Sequence, residues 1–270
     1  MECISKSLFL SAILFILASI SATNCYAVTS TFGALVTSNA NVANGHNAGT
    51  STKPGASDEI SNADPYSGYN HAVYNFNQQF DRFLLKPVSI FYINFFPARV
   101  VKCVNNFYRN LSEIPTVIND LLQWNIYQMG SDTWRFAVNS TVGIGGLFDV
   151  ASTIGIQKNT QDLGLTFAKW GYINSNYFVI PFIGPSTIRD ALAFPLNYGI
   201  TVYPYIRPLY VSYSLVGGTW VNQRAQLLDF EDVRKQAALN PYEFERNAYL
   251  QKRNYDIKVL SQSSVKKIGT

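Results

Sequence analysis

From Tyr66 onward, apolar residues recur at spacings of three and four: Tyr66, Tyr69, Val73, Phe76, Phe80 and Phe83. That spacing puts them on one stripe of an α-helix, and the stripe is strongly aromatic. Asp64-Pro65 stands just before it. Asp is a favoured helix cap and Pro a favoured first residue, so the helix is predicted to open there. Pro87 and Pro97 bound a second apolar segment containing Phe91, Tyr92, Phe95 and Phe96. Residues 98–128 read as helical, with Leu111, Ile114, Ile118, Leu121 and Leu122 as the apolar face. Pro115 marks a break or a new start within them. Trp134 to Asn139 predicts another helix, running into Gly143-Ile144-Gly145-Gly146. Near the end Val221, Ala225 and Leu228 share a face. Asn240-Pro241 with Glu243 then reads as a capping box that opens a last helix. Few stretches alternate with period two, so the class is mainly α.

The stretch from Trp170 to Gln223 departs from this regular pattern. It carries three charged residues, Arg189, Asp190 and Arg207, and twelve aromatics, and is broken by Pro181, Pro185, Pro195, Pro204 and Pro208. A membrane-spanning helix needs roughly 20 apolar residues without such breaks. Short apolar helices joined at Pro/Gly corners and edged with Tyr and Trp suit a membrane interface. The same stretch also fits an ordinary buried core, and pattern alone does not separate the two.

The first residues bear on compartment. Lys6 precedes a thirteen-residue apolar run, Leu8 to Ile20, followed by small and polar residues up to Ala27. This is the layout of an export signal, predicted over 1–27. Residues 28–63 are rich in Ser, Thr, Asn, Ala and Gly and predict a flexible leader. Cys25 invites comparison with a lipoprotein signal, in which a cysteine becomes acylated. The residues before it, Asn24 and Ala22, are irregular for such a site, and the competing reading is Cys25-Tyr26-Ala27 as a small-x-small site cut after Ala27, toward which the local sequence leans modestly; both readings stay open. Cys103 is the one cysteine certain to survive processing, which leaves no disulfide framework.

Chemistry-bearing residues are scarce. The chain has two histidines, His46 in the leader and His71 on the first helix. Catalytic triads and zinc sites need more than His71 supplies. No Gly-x-Ser-x-Gly or phosphate-loop pattern occurs. Gly143-x-Gly145-Gly146 lacks the strand–helix context of a dinucleotide site and fits a hinge or a close backbone approach. The formal net charge is +4, with Lys252, Arg253, Lys258, Lys266 and Lys267 gathered at the end. No dense basic patch or recognisable module points to nucleic acid. No cofactor or metal is expected.

Several motifs in series closely resemble the MlaA/VacJ family. They are Asp64-Pro65-Tyr66-Ser67-Gly68-Tyr69-Asn70 with Tyr74-Asn75-Phe76-Asn77, and Pro97-Ala98-Arg99 leading to Asn110-Leu111-Ser112-Glu113. Arg135-Phe136 and Asn139 through Ala151 follow, then Asp162-Leu163-Gly164, Trp170-Gly171 and Pro181 through Asp190. Arg224 to Asp229 and Asn240-Pro241-Tyr242 with Tyr249-Leu250-Gln251 close the series. The resemblance covers 64–253 and leaves 254–270 as a basic tail. One departure is Tyr172-Ile173-Asn174-Ser175-Asn176, where the family has a glycine-rich turn.

The resemblance implies an outer-membrane lipoprotein of Gram-negative bacteria, built as a ring of amphipathic helices lying in the periplasmic leaflet around an amphipathic channel. It implies removal of misplaced phospholipids from the outer leaflet and their transfer to a periplasmic carrier, in association with trimeric porins. Under that reading Arg189 and Asp190 are candidate channel-side residues. Gly143, Gly145 and Gly146 are candidate hinges for a gating hairpin between Gly143 and Gly164, and Cys25 is the candidate acylation site. The alternatives are a porin-associated envelope protein that moves no lipid and a secreted lipid hydrolase.

Overall fold

The computed structural model describes residues 64–238 and 240–266. The expected export signal, leader and acylation site at Cys25 lie outside them. Helix α1 spans Ser67–Phe80. It begins after the expected Asp64-Pro65 start because the Asp64 carboxylate is used elsewhere. It accepts hydrogen bonds from Asn70 (2.6 Å) and from the Tyr242 hydroxyl, tying the start of the domain to its last helix.

A π-helical turn, Asp81–Leu85, joins α1 to α2, Lys86–Phe95. Pro87 explains the wide turn. A proline ring in a regular helix strikes the carbonyl four residues back and has no N–H to offer. The wider turn, in which the Lys86 N–H reaches the Asp81 carbonyl, absorbs that conflict without ending the helix.

Helix α3 spans Ala98–Leu111, α4 Glu113–Leu122 and α5 Ile126–Thr141. Pro115 sits in the first turn of α4, where its missing N–H costs little. A short α6, Val150–Thr153, and α7, Leu163–Lys169, follow. Where only short helices were expected, a β-hairpin forms: β1, Tyr177–Ile180, pairs antiparallel with β2, Gly184–Thr187. Asparagines one heptad apart on α1 hold it. Asn70 accepts from the Val179 N–H (2.8 Å) and donates to the Tyr177 carbonyl (3.3 Å). Asn77 accepts from the Phe182 N–H (2.6 Å) and donates to the Ile180 carbonyl (2.9 Å). These amides stand in for a third strand, which the residue pattern of the hairpin alone does not announce. Helices α8, Ile188–Gly199, α9, Leu209–Leu228, α10, Glu231–Ala237, and α11, Pro241–Lys266, complete the chain. The expected boundary at 253/254 therefore falls inside α11. Asn240 caps that helix as expected, accepting from the Tyr242 N–H (3.2 Å).

The elements close into a ring. Helix α2 packs on α9, α9 on α3, α3 on α4, α4 on α7, α7 on α8, α8 on the hairpin, and β1 back on α1. No helix among the described residues is long and apolar enough to cross a membrane.

Burial along this ring is reversed from that of a water-soluble domain. Among the described residues, buried polar and charged side chains outnumber buried apolar ones. On α1 Asn70 is fully buried, while Tyr69 and Phe76 of the aromatic stripe, and Tyr66 just before the helix, are exposed. Phe83 is 74% exposed, Trp124 81% and Tyr127 80%, and Phe91, Phe95, Trp134, Trp170, Leu192, Tyr205 and Tyr210 are exposed too. The apolar cores are small: Tyr74, Tyr177, Val179, Tyr242 and Tyr249 in one, Tyr198, Tyr203 and Val216 in another.

Candidate functional site

Three polar assemblies and a cavity occupy the space that apolar packing leaves. The first ties α7, α8 and α11 together. Arg253 forms a two-bond fork with Asp162 (2.8 and 2.9 Å) and reaches both oxygens of Asp190 (2.9 and 2.8 Å). Tyr249 donates to Asp190 at 2.7 Å. Burial works against the Asp190 charge, but Arg253 and Arg189 hold its pKa well below the usual carboxylate range. Gly164 is required here, because a Cβ at that position would overlap Asp190 and the Arg253 guanidinium.

Arg189 and Asp190, expected at the channel side, are both buried in this assembly. The two side chains also meet each other. The Arg189 Nε donates to Asp190 (3.1 Å), and its Nη1 donates to the carbonyls of Tyr172 (3.3 Å) and Ile173 (2.9 Å). The side chains can meet because Asp190 lies in the first turn of α8, capped by Thr187, and the long Arg189 chain folds back. The Tyr172–Asn176 turn is thus pinned by Arg189.

The second assembly surrounds the glycine turn and the segment after it. Arg135 on α5 binds Glu113 (2.9 Å), Asp149 (2.7 and 2.9 Å), the Ser152 hydroxyl (3.0 Å) and the Ile156 carbonyl. Lys158 returns to Glu113 at 2.9 Å. Burial opposes ionisation of Asp149, but hydrogen bonds from Ser152 and Asn139 and the Arg135 charge bring its pKa down to about 2. Arg135 therefore grips the segment at 149, 152 and 156 together. The turn itself holds Ile144, Gly145 and Gly146 at positive φ (52°, 67° and 89°). At Gly146 a Cβ would also overlap the Asn110 side chain. The sequence pattern points to these glycines but not to Arg135 as their anchor. Its place in the Arg135-Phe136 motif was the sign available, and that motif does not say what the side chain holds.

The third assembly is a pair of buried carboxylates, Asp120 on α4 and Asp132 on α5. Asn159 donates to Asp120 (3.4 and 3.5 Å) and to Asp132 (3.2 Å), and Gln128 donates to Asp132 (3.3 Å). Burial first, then the hydrogen bond and charge of Asp132, push the Asp120 pKa up to about 8. Asp120 is thus the carboxyl of the pair that is held toward its protonated form.

The cavity, about 210 Å³, lies between α1, the hairpin turn, α9 and α10. Phe80, Leu85, Phe182, Trp220, Leu227 and Phe230 give it apolar walls. Its polar lining includes Arg224, which forks onto Asp81 and reaches Glu231 at 3.5 Å, and Arg234, paired with Glu245. Gln223 also lines it. That residue is 4% exposed, and neither end of its amide has a hydrogen-bond partner among the described residues. A second cavity, lined by His71 and Tyr242, shares Tyr74, Gln78 and Arg234 with the first as a common wall. His71 is exposed and lies tilted against Tyr242 with ring centroids 3.8 Å apart. No group of three or more His, Cys, Asp or Glu among the described residues is placed to hold a metal.

Comparison with known proteins bears on this arrangement. The family described as MlaA lipoprotein matches residues 62–256. An uncharacterised protein of Rickettsia bellii is 33% identical over 196 residues, covering 72% of this chain and 76% of its own length. The intermembrane phospholipid transport system lipoprotein MlaA of Escherichia coli K12 is 29% identical over 206 residues, 73% of this chain and 80% of its own. A solved chain from work on the structural basis for maintenance of bacterial outer membrane lipid asymmetry superposes with a TM-score of 0.60 at 26% identity. It covers 72% of this chain and 98% of its own.

Proposed function

Because the chain belongs to the MlaA lipoprotein family, we propose that it is the outer-membrane component of an intermembrane phospholipid transport system. In this reading it removes misplaced phospholipids from the outer leaflet and so maintains lipid asymmetry. The observation that carries the reading is the reversed burial. A ring whose rim is Phe, Trp and Tyr and whose interior is Asn, Gln, Asp and Arg is stable where the rim meets acyl chains. Horizontal helices then lie in the periplasmic leaflet, and a backbone break such as the hairpin, whose residues are buried or half-buried, is tolerated where protein covers it.

The cavity beside Gln223 is the part of the interior that we assign to lipid, and the movement of lipid needs no covalent step. Arg189 and Asp190 serve this function as a lock between α7, α8 and α11 rather than as lipid ligands. Gly143, Gly145 and Gly146 form the pivot of a gating segment whose far side is fastened by Arg135. Cys25 is the proposed anchor, a trimeric porin the proposed neighbour in the membrane, and a periplasmic carrier the proposed acceptor.

The test is deletion of the gene followed by labelling of surface-exposed phospholipid. Accumulation in the outer leaflet, reversed by the full chain, is the expected result. Unchanged asymmetry in the deletion strain, with no phospholipid co-purifying with the protein, would leave the porin-associated structural role in its place.

A further inference from the structure

The lining of the cavity beside α9 restricts which headgroup it can take. It carries three carboxylates, Asp81, Glu231 and Glu245, against two guanidiniums, Arg224 and Arg234. All of these charges are committed: Arg224 to Asp81 and Glu231, Lys86 just outside the lining to Glu231 as well, and Arg234 to Glu245. A ligand with only negative charge would have to break those pairs to find a cation. A ligand carrying both signs can place its cation toward the carboxylates and its anion toward the guanidinium side.

Gln223 supplies the second, independent observation. Its Nε2 and Oε1 are buried and have no hydrogen-bond partner among the described residues. A buried polar group without a partner is costly, so such groups mark places where something else completes the bonding. The Gln223 amide can donate to a phosphate or ester oxygen and accept from a protonated amine. The volume, about 210 Å³, is below the roughly 300–1,000 Å³ of sites that enclose a whole drug-sized ligand. It suits a headgroup and its glycerol junction, with Trp220, Leu227 and Phe230 against the ester region.

We propose that this cavity is a headgroup site that selects zwitterionic, primary-amine phospholipids over anionic ones, with Gln223 as its uncharged anchor. The proposal rests on the reading that the protein carries phospholipid, and adds a preference to it.

The test uses the full chain in detergent, offered equal amounts of phosphatidylethanolamine and phosphatidylglycerol with identical acyl chains. Bound lipid is counted by native mass spectrometry. The wild type is expected to retain the ethanolamine lipid roughly tenfold over the glycerol lipid, the ratio that one well-made polar interaction supplies. Gln223→Met, similar in size, is expected to lose that preference while melting no lower than the wild type. Equal retention of the two lipids by the wild type would overturn the selectivity and leave the transport reading standing. Retention of neither lipid, together with unchanged membrane asymmetry in cells, would remove both. A folded Gln223→Met protein that keeps the preference would also overturn the proposal. Displacement of the lipid by soluble phosphoethanolamine at equal concentration would assign the site to a free zwitterion instead of a lipid.

Discussion

Arg253 shows how much of this interior depends on single side chains. It neutralises Asp162 and Asp190, on two different elements, from a third. Arg253→Met would leave both carboxylates buried without their main cation, a cost of roughly 3–5 kcal/mol. Thermal unfolding in detergent should show a large drop for it, a smaller one for Arg189→Ala and little change for Arg207→Ala, since Arg207 is exposed. An equal drop for Arg189→Ala and Arg253→Met would mean that the lock is centred on Arg189. The Asp120–Asp132 pair gives a pH prediction. The folded pKa of Asp120, about 8, lies above the roughly 3.9 of an unfolded aspartate. The folded state therefore holds a proton that the unfolded state releases, and stability should fall as pH rises between those values. The slope should reach at most about 1.4 kcal/mol per pH unit. Asp120→Asn, neutral throughout, should flatten the fall in melting temperature between pH 5 and pH 8. A wild type that melts higher at pH 8 than at pH 5 would refute the sign. At this scale the sequence marked Arg189 and Asp190 by their rarity. It could not show that Arg253, the partner of Asp190, would come from more than sixty residues away.

The helices were legible because their apolar positions keep a 3.6-residue period, from Tyr66 to Phe83 and again along α4. Period does not say which face is inside. The aromatic stripe of α1 reads equally well as a core face, and only its packing shows that Asn70 and Tyr74 point inward instead. The hairpin was hidden for a related reason. Its strands are four residues each, too short to alternate visibly, and their outer partner is a pair of asparagine amides. The glycine turn was visible, and its two positive-φ glycines now separate two effects. Gly145 has φ of 67° and open space where a Cβ would stand, whereas Gly146 faces Asn110 directly. Gly145→Val should therefore strain the pivot alone, since a β-branched residue disfavours that backbone region. The expected outcome is reduced lipid removal with unchanged helicity by circular dichroism. Gly146→Val should lower the melting temperature as well. Full outer-leaflet clearance by a folded Gly145→Val protein would remove the pivot from the mechanism.

For the whole molecule, the circuit from α1 through α9, α4 and α8 back to the hairpin leaves few side chains to form an apolar centre. Its stability must then come from the surroundings of the rim as well as from its own packing. Lipid supplies that surrounding. Fully burying one large apolar side chain contributes roughly 1.5–3 kcal/mol, and the rim presents many, among them Phe83, Phe91, Phe95, Trp124, Trp134 and Trp170. A single acyl chain by comparison gives only marginal, reversible binding. The body of the ring, not the acyl group proposed at Cys25, should therefore dominate membrane attachment. Cys25→Ser protein should remain in the pellet after carbonate extraction. A variant with Phe83, Phe91 and Phe95 changed to Ser should move toward the soluble fraction even with Cys25 intact. Complete release of the Cys25→Ser protein would show that the aromatic rim meets another protein surface, and would return the porin-associated structural role to first place.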